Sequence, residues 1–314
     1  MDLNGNILSR RDMLRSASCG FGYLALSALL SQSARANTTT QLAPKIPVLP
    51  ARAKRVIFLC MAGGPAHLDT FDYKPQLTNA AHPGSVFDFK RHGDSGLWIS
   101  ELLPQTARHA DKLCVINGMH ADTGNHAQSF NQLHTGDLLR RRPSMGSWIT
   151  YGLGSENQNL PGFVAMCPGG YPIQETQNWQ SAFLPGAFQG TYVDTRHSDP
   201  KKLVEHIESG MGESEQRRQL DLLRAMNEDH QKERSHDARL EARLQSFELA
   251  YRMQMEATDA FDISREPEEI RKMYGSGTQA RQMLITRRLV ERGVRFVQVW
   301  HGAGQPWDNH DDLE

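Results

Sequence analysis

An α/β layered domain with a largely parallel sheet is the fold class this sequence predicts, on three observations. Four short apolar runs, Arg55 to Ala62, Leu113 to Ile116, Gly162 to Met166 and Val294 to Trp300, do not alternate with polar residues. Runs of that kind suit strands covered on both faces, as in parallel sheets. Helical patterns fill the intervals, and strands alternating with helices argue for a layered sheet. The first run also stops abruptly at Gly63-Gly64-Pro65, a strand end followed by a loop.

The first run predicts a central strand. Its Cys60 should be buried, and Ile57→Asp should be severely destabilising because an unpaired charge would enter the core. Ser100 is placed to cap a helix through Lys112, with Leu102, Leu103, Ala107 and Ala110 on one side. A second helix is expected from His126 to Leu139, and a third from Thr278 to Arg292, stopped by Gly293. From Glu213 to Phe261 the chain is charge-rich and helical, with Leu240, Leu244, Phe247 and Tyr251 at one-face spacing. A hairpin or one long helix beside the sheet fits that pattern, within a helical insertion spanning about residues 200–275.

The chain has 314 residues, 39% hydrophobic and 23% charged, the composition of an ordinary globular protein. Its formal net charge of −1 gives no electrostatic reason to bind nucleic acid or an anionic membrane. Cys60, Cys114 and Cys167 each lie in an apolar context and read as buried core thiols, and no CxxC pair suggests zinc or thioredoxin chemistry.

Ahead of the domain, Ser9-Arg10-Arg11-Asp12-Met13-Leu14 precedes a short apolar stretch and Ala34-Arg35-Ala36. Paired arginines, a short apolar segment and an A-x-A site ending at Ala36 make a twin-arginine export signal over residues 1–36. The apolar stretch is shorter than the roughly 20 residues a membrane span needs. Cleavage would leave no stable span. The reading implies the twin-arginine translocase as a partner during export and a periplasmic or extracytoplasmic location. Residues 37–54, rich in Thr, Pro and Ala, suit a linker, and the domain occupies 55–314.

Functional groups in open parallel sheets collect beyond the carboxyl ends of the strands. The first strand delivers His67, Asp69 and Asp72 to that rim, and the last delivers Asp308 and His310. Carboxylates and imidazoles from two remote segments are what a divalent metal requires, although Asp and His also serve as turn and cap residues. A third loop, His120 to His126, precedes a helix whose N-terminal N–H groups would favour an anion, with His126 in reach. Arg140 and Arg142, at the other end of that helix, are either an anion site or, more in keeping with the helix dipole, a solvated charge cluster. Ser144 serves equally as an N-cap or a nucleophile. Three loops, His67 to Asp72, His120 to His126 and Trp307 to His310, should therefore converge on one rim.

Met61-Ala62-Gly63-Gly64-Pro65-Ala66-His67-Leu68-Asp69-Thr70-Phe71-Asp72, His92-Gly93-Asp94-Ser95-Gly96-Leu97-Trp98-Ile99, Arg142-Pro143-Ser144-Met145-Gly146-Ser147-Trp148 and Arg288-Leu289-Val290-Glu291-Arg292-Gly293-Val294 together resemble the exported family catalogued as domain of unknown function 1501. The resemblance implies the alkaline phosphatase and sulfatase superfamily, with a central mixed, mostly parallel sheet between helices and metal-dependent hydrolysis of phosphate or sulfate esters as its ancestral chemistry. It implies an acidic metal ligand at Asp69 or Asp72, further ligands at Asp308 and His310, and an ion such as zinc, calcium or manganese. The position where the superfamily carries a hydroxyl or thiol nucleophile, upstream of Thr135-Gly136, here holds His126. No cysteine begins the C-x-P-x-R string of formylglycine sulfatases. Family members continue past the Asp308/His310 motif, so the domain is expected to be C-terminally truncated and its site incomplete. The function expected is hydrolysis of a small-molecule or polysaccharide ester. The alternative is a non-catalytic exported binding or assembly protein that retains the fold.

Overall fold

The computed structural model describes residues 41–47, 49–77, 84–204, 207, 210, 212–233 and 238–310. The arginine pair Arg10-Arg11 and Ala36 lie outside the described residues. Six strands are formed among those described: β1 (Val56–Cys60), β2 (Phe89–His92), β3 (Leu97–Ser100), β4 (Phe163–Met166), β5 (Thr191–Val193) and β6 (Phe296–Trp300). The helices are α1 (Pro104–Ala107), α2 (His126–Thr135), α3 (Met145–Leu153), α4 (Glu213–Glu233), α5 (Ala238–Phe261), α6 (Glu268–Tyr274) and α7 (Thr278–Glu291).

The main sheet has the order β1-β6-β4-β5, and every pairing in it is parallel. Side chains alternate across it and so define two cores. On one face Val164, Met166, Val193, Val297 and Val299 pack with Met253, Ala257 and Ala260 of α5 and Ile285 and Leu289 of α7. On the other, Phe163, Ala165, Phe296, Cys167 and Trp300 pack with Phe130 of α2, Ile149 of α3 and Trp179. Strand β6 is buried along its whole length, the polar Gln298 at its centre included.

The first strand corrects the expectation. Among the described residues β1 is an edge strand paired only to β6, and its two faces differ. Phe58 and Cys60 turn toward the α2 side, whereas Ile57 is 43% and Leu59 57% exposed. The helices α5 and α7 pack on the β4, β5 and β6 side chains of their face, and no β1 side chain joins that cluster. Ile57→Asp therefore places its charge in solvent, and the severe destabilisation expected from the sequence does not apply.

The run Leu113 to Ile116 forms no strand. It follows a 3₁₀ turn at Ala110–Lys112 and crosses the surface with Ile116 64% exposed, and Cys114 is exposed with it. Hydrophobic content without a neighbouring strand to pair with does not make a ladder. Cys60 and Cys167 are buried, and burial pushes both thiols up to about 12. Of the three, Cys114 is expected to react with a thiol reagent in the native protein while Cys60 and Cys167 react only after unfolding, a stoichiometry that thiol titration reads directly.

Ser100 is not a helix cap but the last residue of β3, in a hairpin with β2 whose turn runs from Gly93 to Gly96, both at φ 66. The helix begins at Pro104, whose missing N–H suits a first turn, and is only four residues long. Helix α2 stops at Thr135, short of Leu139, because Gly136 adopts φ 78 and its N–H closes on the Gln132 carbonyl. The charged segment forms two helices, α4 and α5, joined by Arg217 and Arg224 of α4 reaching Glu248 of α5.

Candidate functional site

Parallel pairing brings the ends of β1, β6, β4 and β5 to one rim, and two bonds carry the first and last strands together beyond their ladder. His301 N–H donates to the Cys60 carbonyl at 3.2 Å, and Trp307 N–H donates to the Ala62 carbonyl at 3.0 Å. The loops then meet at Gly63, φ +101, where a Cβ would lie 2.5 Å from the Asp308 amide nitrogen. Glycine alone allows that approach. Gly64, φ +82, has no atom within 4 Å of such a Cβ. Alanine at Gly64 should cost about 1 kcal/mol of backbone strain. Gly63→Ala should cost distinctly more, in paired urea unfolding curves, because the strain adds to a clash that displaces Asp308.

Asp308 stands between two imidazoles. Its Oδ2 is 3.2 Å from His126 Nε2 and its Oδ1 is 3.0 Å from His310 Nε2. His126 is the first residue of α2, whose N-cap Asn125 accepts the Gln128 N–H at 3.2 Å. The Asp308 loop is braced from within, since Trp307 Nε1–H donates to His301 Nδ1 at 2.7 Å. Sequence reading places Gly63, His301 and Trp307 at this rim as strand-following residues, but not the bond between His301 and Trp307 or the close approach at Gly63.

His67 and Asp72 make a second group. Asp72, 8% exposed, accepts from Lys74 Nζ at 2.7 Å and from Asn117 Nδ2 at 2.9 Å, with His67 Nε2 3.7 Å away. The Lys74 hydrogen bond, opposed by burial and helped by Asn117, holds its carboxyl below the usual range. Asp69 accepts from Ser85 Oγ at 2.6 Å. The first-loop carboxylates are thus satisfied within their own surroundings, and Asp122 likewise pairs with Gln132. Arg140 and Arg142 lie past the C-terminal end of α2, away from His126; the Arg140 N–H and the Arg142 side chain both approach Asp137. Ser144 occupies the N-cap position of α3, 1% exposed, with its hydroxyl 3.0 Å from Ser147 Oγ. That burial suits a structural role.

Among the described residues, no three His, Cys, Asp or Glu side chains form a group that could hold a metal ion. His126, Asp308 and His310 form an open chain, not a closed triangle. Their donor types, two imidazole nitrogens and a carboxylate, do fit a borderline divalent ion. Closure would fall to His310, whose side chain is 78% exposed and free to turn. Among the described residues, no helix is long and apolar enough to cross a membrane.

A family model described as a protein of unknown function (DUF1501) matches residues 53–314. No curated protein and no solved structure matches the chain.

Proposed function

Because the chain belongs to the DUF1501 family, whose function is unknown, we propose a function from its rim: hydrolysis of a phosphate or sulfate ester of a small molecule or polysaccharide, assisted by a divalent metal, on an alkaline-phosphatase-like sheet. The observation that carries the reading is the meeting of His126, Asp308 and His310 from loops remote in sequence. Asp308 and His310 would hold the ion, with Asp69, Asp72 and His67 of the first loop as further candidate donors. Zinc, calcium or manganese bound there would supply polarisation of the ester oxygen. The chain's own part is proton handling and placement. Asp308 accepts a proton-bearing Nε2 of His126, which leaves Nδ1 as a base for an attacking water. Gly63 and the Trp307–His301 brace keep Asp308 in place for that pairing.

The satisfied state of Asp72 favours a second reading, a binding or assembly protein in which these carboxylates are structural. Metal content and turnover of 4-nitrophenyl phosphate and 4-nitrophenyl sulfate separate the two. Bound metal with turnover that Asp308→Asn abolishes supports the hydrolase; a metal-free, inert protein supports the binder.

Export through the twin-arginine translocase to the periplasm or another extracytoplasmic space belongs to the same proposal, on the strength of Arg10, Arg11 and the A-x-A site at Ala36. Replacing Arg10 and Arg11 together by lysine should leave uncleaved precursor in the cytoplasm, visible on a fractionated immunoblot. Normal processing of that double variant would defeat the assignment.

A further inference from the structure

On the opposite face of the sheet from α2, the connection from α6 to α7 turns through Gly275-Ser276-Gly277, with Gly275 and Gly277 at φ 91 and 96. The turn borders a cavity of about 210 Å³ lined by Arg271, Tyr274, Ser276 and Arg281 over a floor that includes Ile263 and Leu284. The charges around it are unevenly matched. Arg287 and Arg288 pair with Glu266, Arg292 and Arg265 with Asp259, and Lys272 with Glu268. Among the described residues neither Arg271 nor Arg281 meets a carboxylate. They are the two cations that line the cavity.

Arg281 is held in place from behind. One terminal nitrogen donates to the Thr195 carbonyl at 2.6 Å and to that of Arg196 at 3.2 Å, in the segment after β5. Its Nε is buried without a partner, and so is the hydroxyl of Thr195, a residue with none of its surface exposed. Fixing a guanidinium by main-chain carbonyls while leaving its charge uncompensated stores binding capacity for an anion, since a paired arginine would have spent it. Gly277, the N-cap of α7, offers no side-chain cap to the first N–H groups of that helix, and it lines the cavity with Ala280.

We propose that this cavity binds a small tetrahedral oxyanion, phosphate or sulfate, free or as the head of a small monoester, between Arg271 and Arg281. Its lining shares no residue with the His126–Asp308–His310 group, and the proposal does not depend on the hydrolase reading. The apolar floor formed by Ile263 and Leu284 has room for the organic part of a monoester.

Calorimetric titration of the full chain with inorganic phosphate, inorganic sulfate and phenyl phosphate tests the proposal. Saturable binding is expected, weakened about tenfold or more by Arg271→Gln and by Arg281→Gln, and unchanged by Lys272→Gln, which removes a neighbouring cation that does not line the cavity. Phenyl phosphate binding more tightly than phosphate would identify a monoester as the ligand, and equal affinity a free anion; either supports the site. Lack of saturation up to about 10 mM, equal affinity in Arg271→Gln, or an equal loss in Lys272→Gln would overturn it. Arg271 is exposed, so its variant keeps the test valid if Arg281→Gln fails to fold.

Discussion

Replacing Arg288 by methionine is expected to destabilise the protein by about 3–5 kcal/mol, the range for breaking one partner of a buried ion pair. Arg288 is 4% exposed and ties three segments together. Its Nε donates to the Ala260 carbonyl at 3.0 Å, one terminal nitrogen to the Asp259 carbonyl at 2.8 Å, and the other to the Glu266 carboxylate. The C-terminal end of α5 is thereby fastened to α7 just where both cover the sheet. Methionine would fill much of the volume, yet the Ala260 carbonyl would lose its side-chain donor and the Asp259 carbonyl would keep only the Asp262 N–H at 3.3 Å. Glu266, with a side chain 9% exposed, would retain only Arg287. Urea unfolding measures the loss, and the double variant with Glu266→Gln should recover part of it because the stranded charge is then gone. A cost below about 1 kcal/mol for the single variant would mean that the pair contributes little beyond surface charge.

Acid should weaken the protein through His134 well before the carboxylates titrate. His134 is 4% exposed, in a box formed by Phe58, Phe130 and Trp300. Its Nδ1–H donates to the Phe130 carbonyl at 2.8 Å, and Nε2 has no partner. A second proton would therefore be added where no acceptor stands, so burial lowers its pKa from 6.5 to about 4, with the Phe130 carbonyl opposing weakly. The unfolded chain binds that proton more tightly than the folded one. The stabilising contribution is therefore complete above pH 6.5 and is lost as the pH falls toward 4, a loss of about 3 kcal/mol at the bottom of the window. His134→Leu keeps the apolar contacts and removes the titration, so its stability should change less across pH 6.5 to 4 than that of the parent. Parallel pH profiles for the two proteins would refute this assignment.

Much of the fold was legible because it is written in local patterns. The helical pattern locates the start of α2 at His126, the mainly apolar run of β6 marks a strand buried on both faces, and the charged segment from Glu213 reads as helical without any knowledge of its neighbours. The rim was legible one step further, since parallel strands must present their ends on one side. The same reasoning misjudged β1 and the run from Leu113 to Ile116, whose composition matches that of buried strands.

What the sequence determined by itself was the class of fold and the residues that follow each strand, because backbone periodicity and turn chemistry act over a few residues. Only the tertiary structure decided that β1 lies at an edge, that Asp308 pairs with His126 while Asp72 pairs with Lys74 and Asn117, and that Arg288 is ion-paired whereas Arg281 is not. Strand order and charge pairing depend on which distant segments pack together, a competition among hydrophobic burial, loop closure and desolvation that no single window of sequence contains.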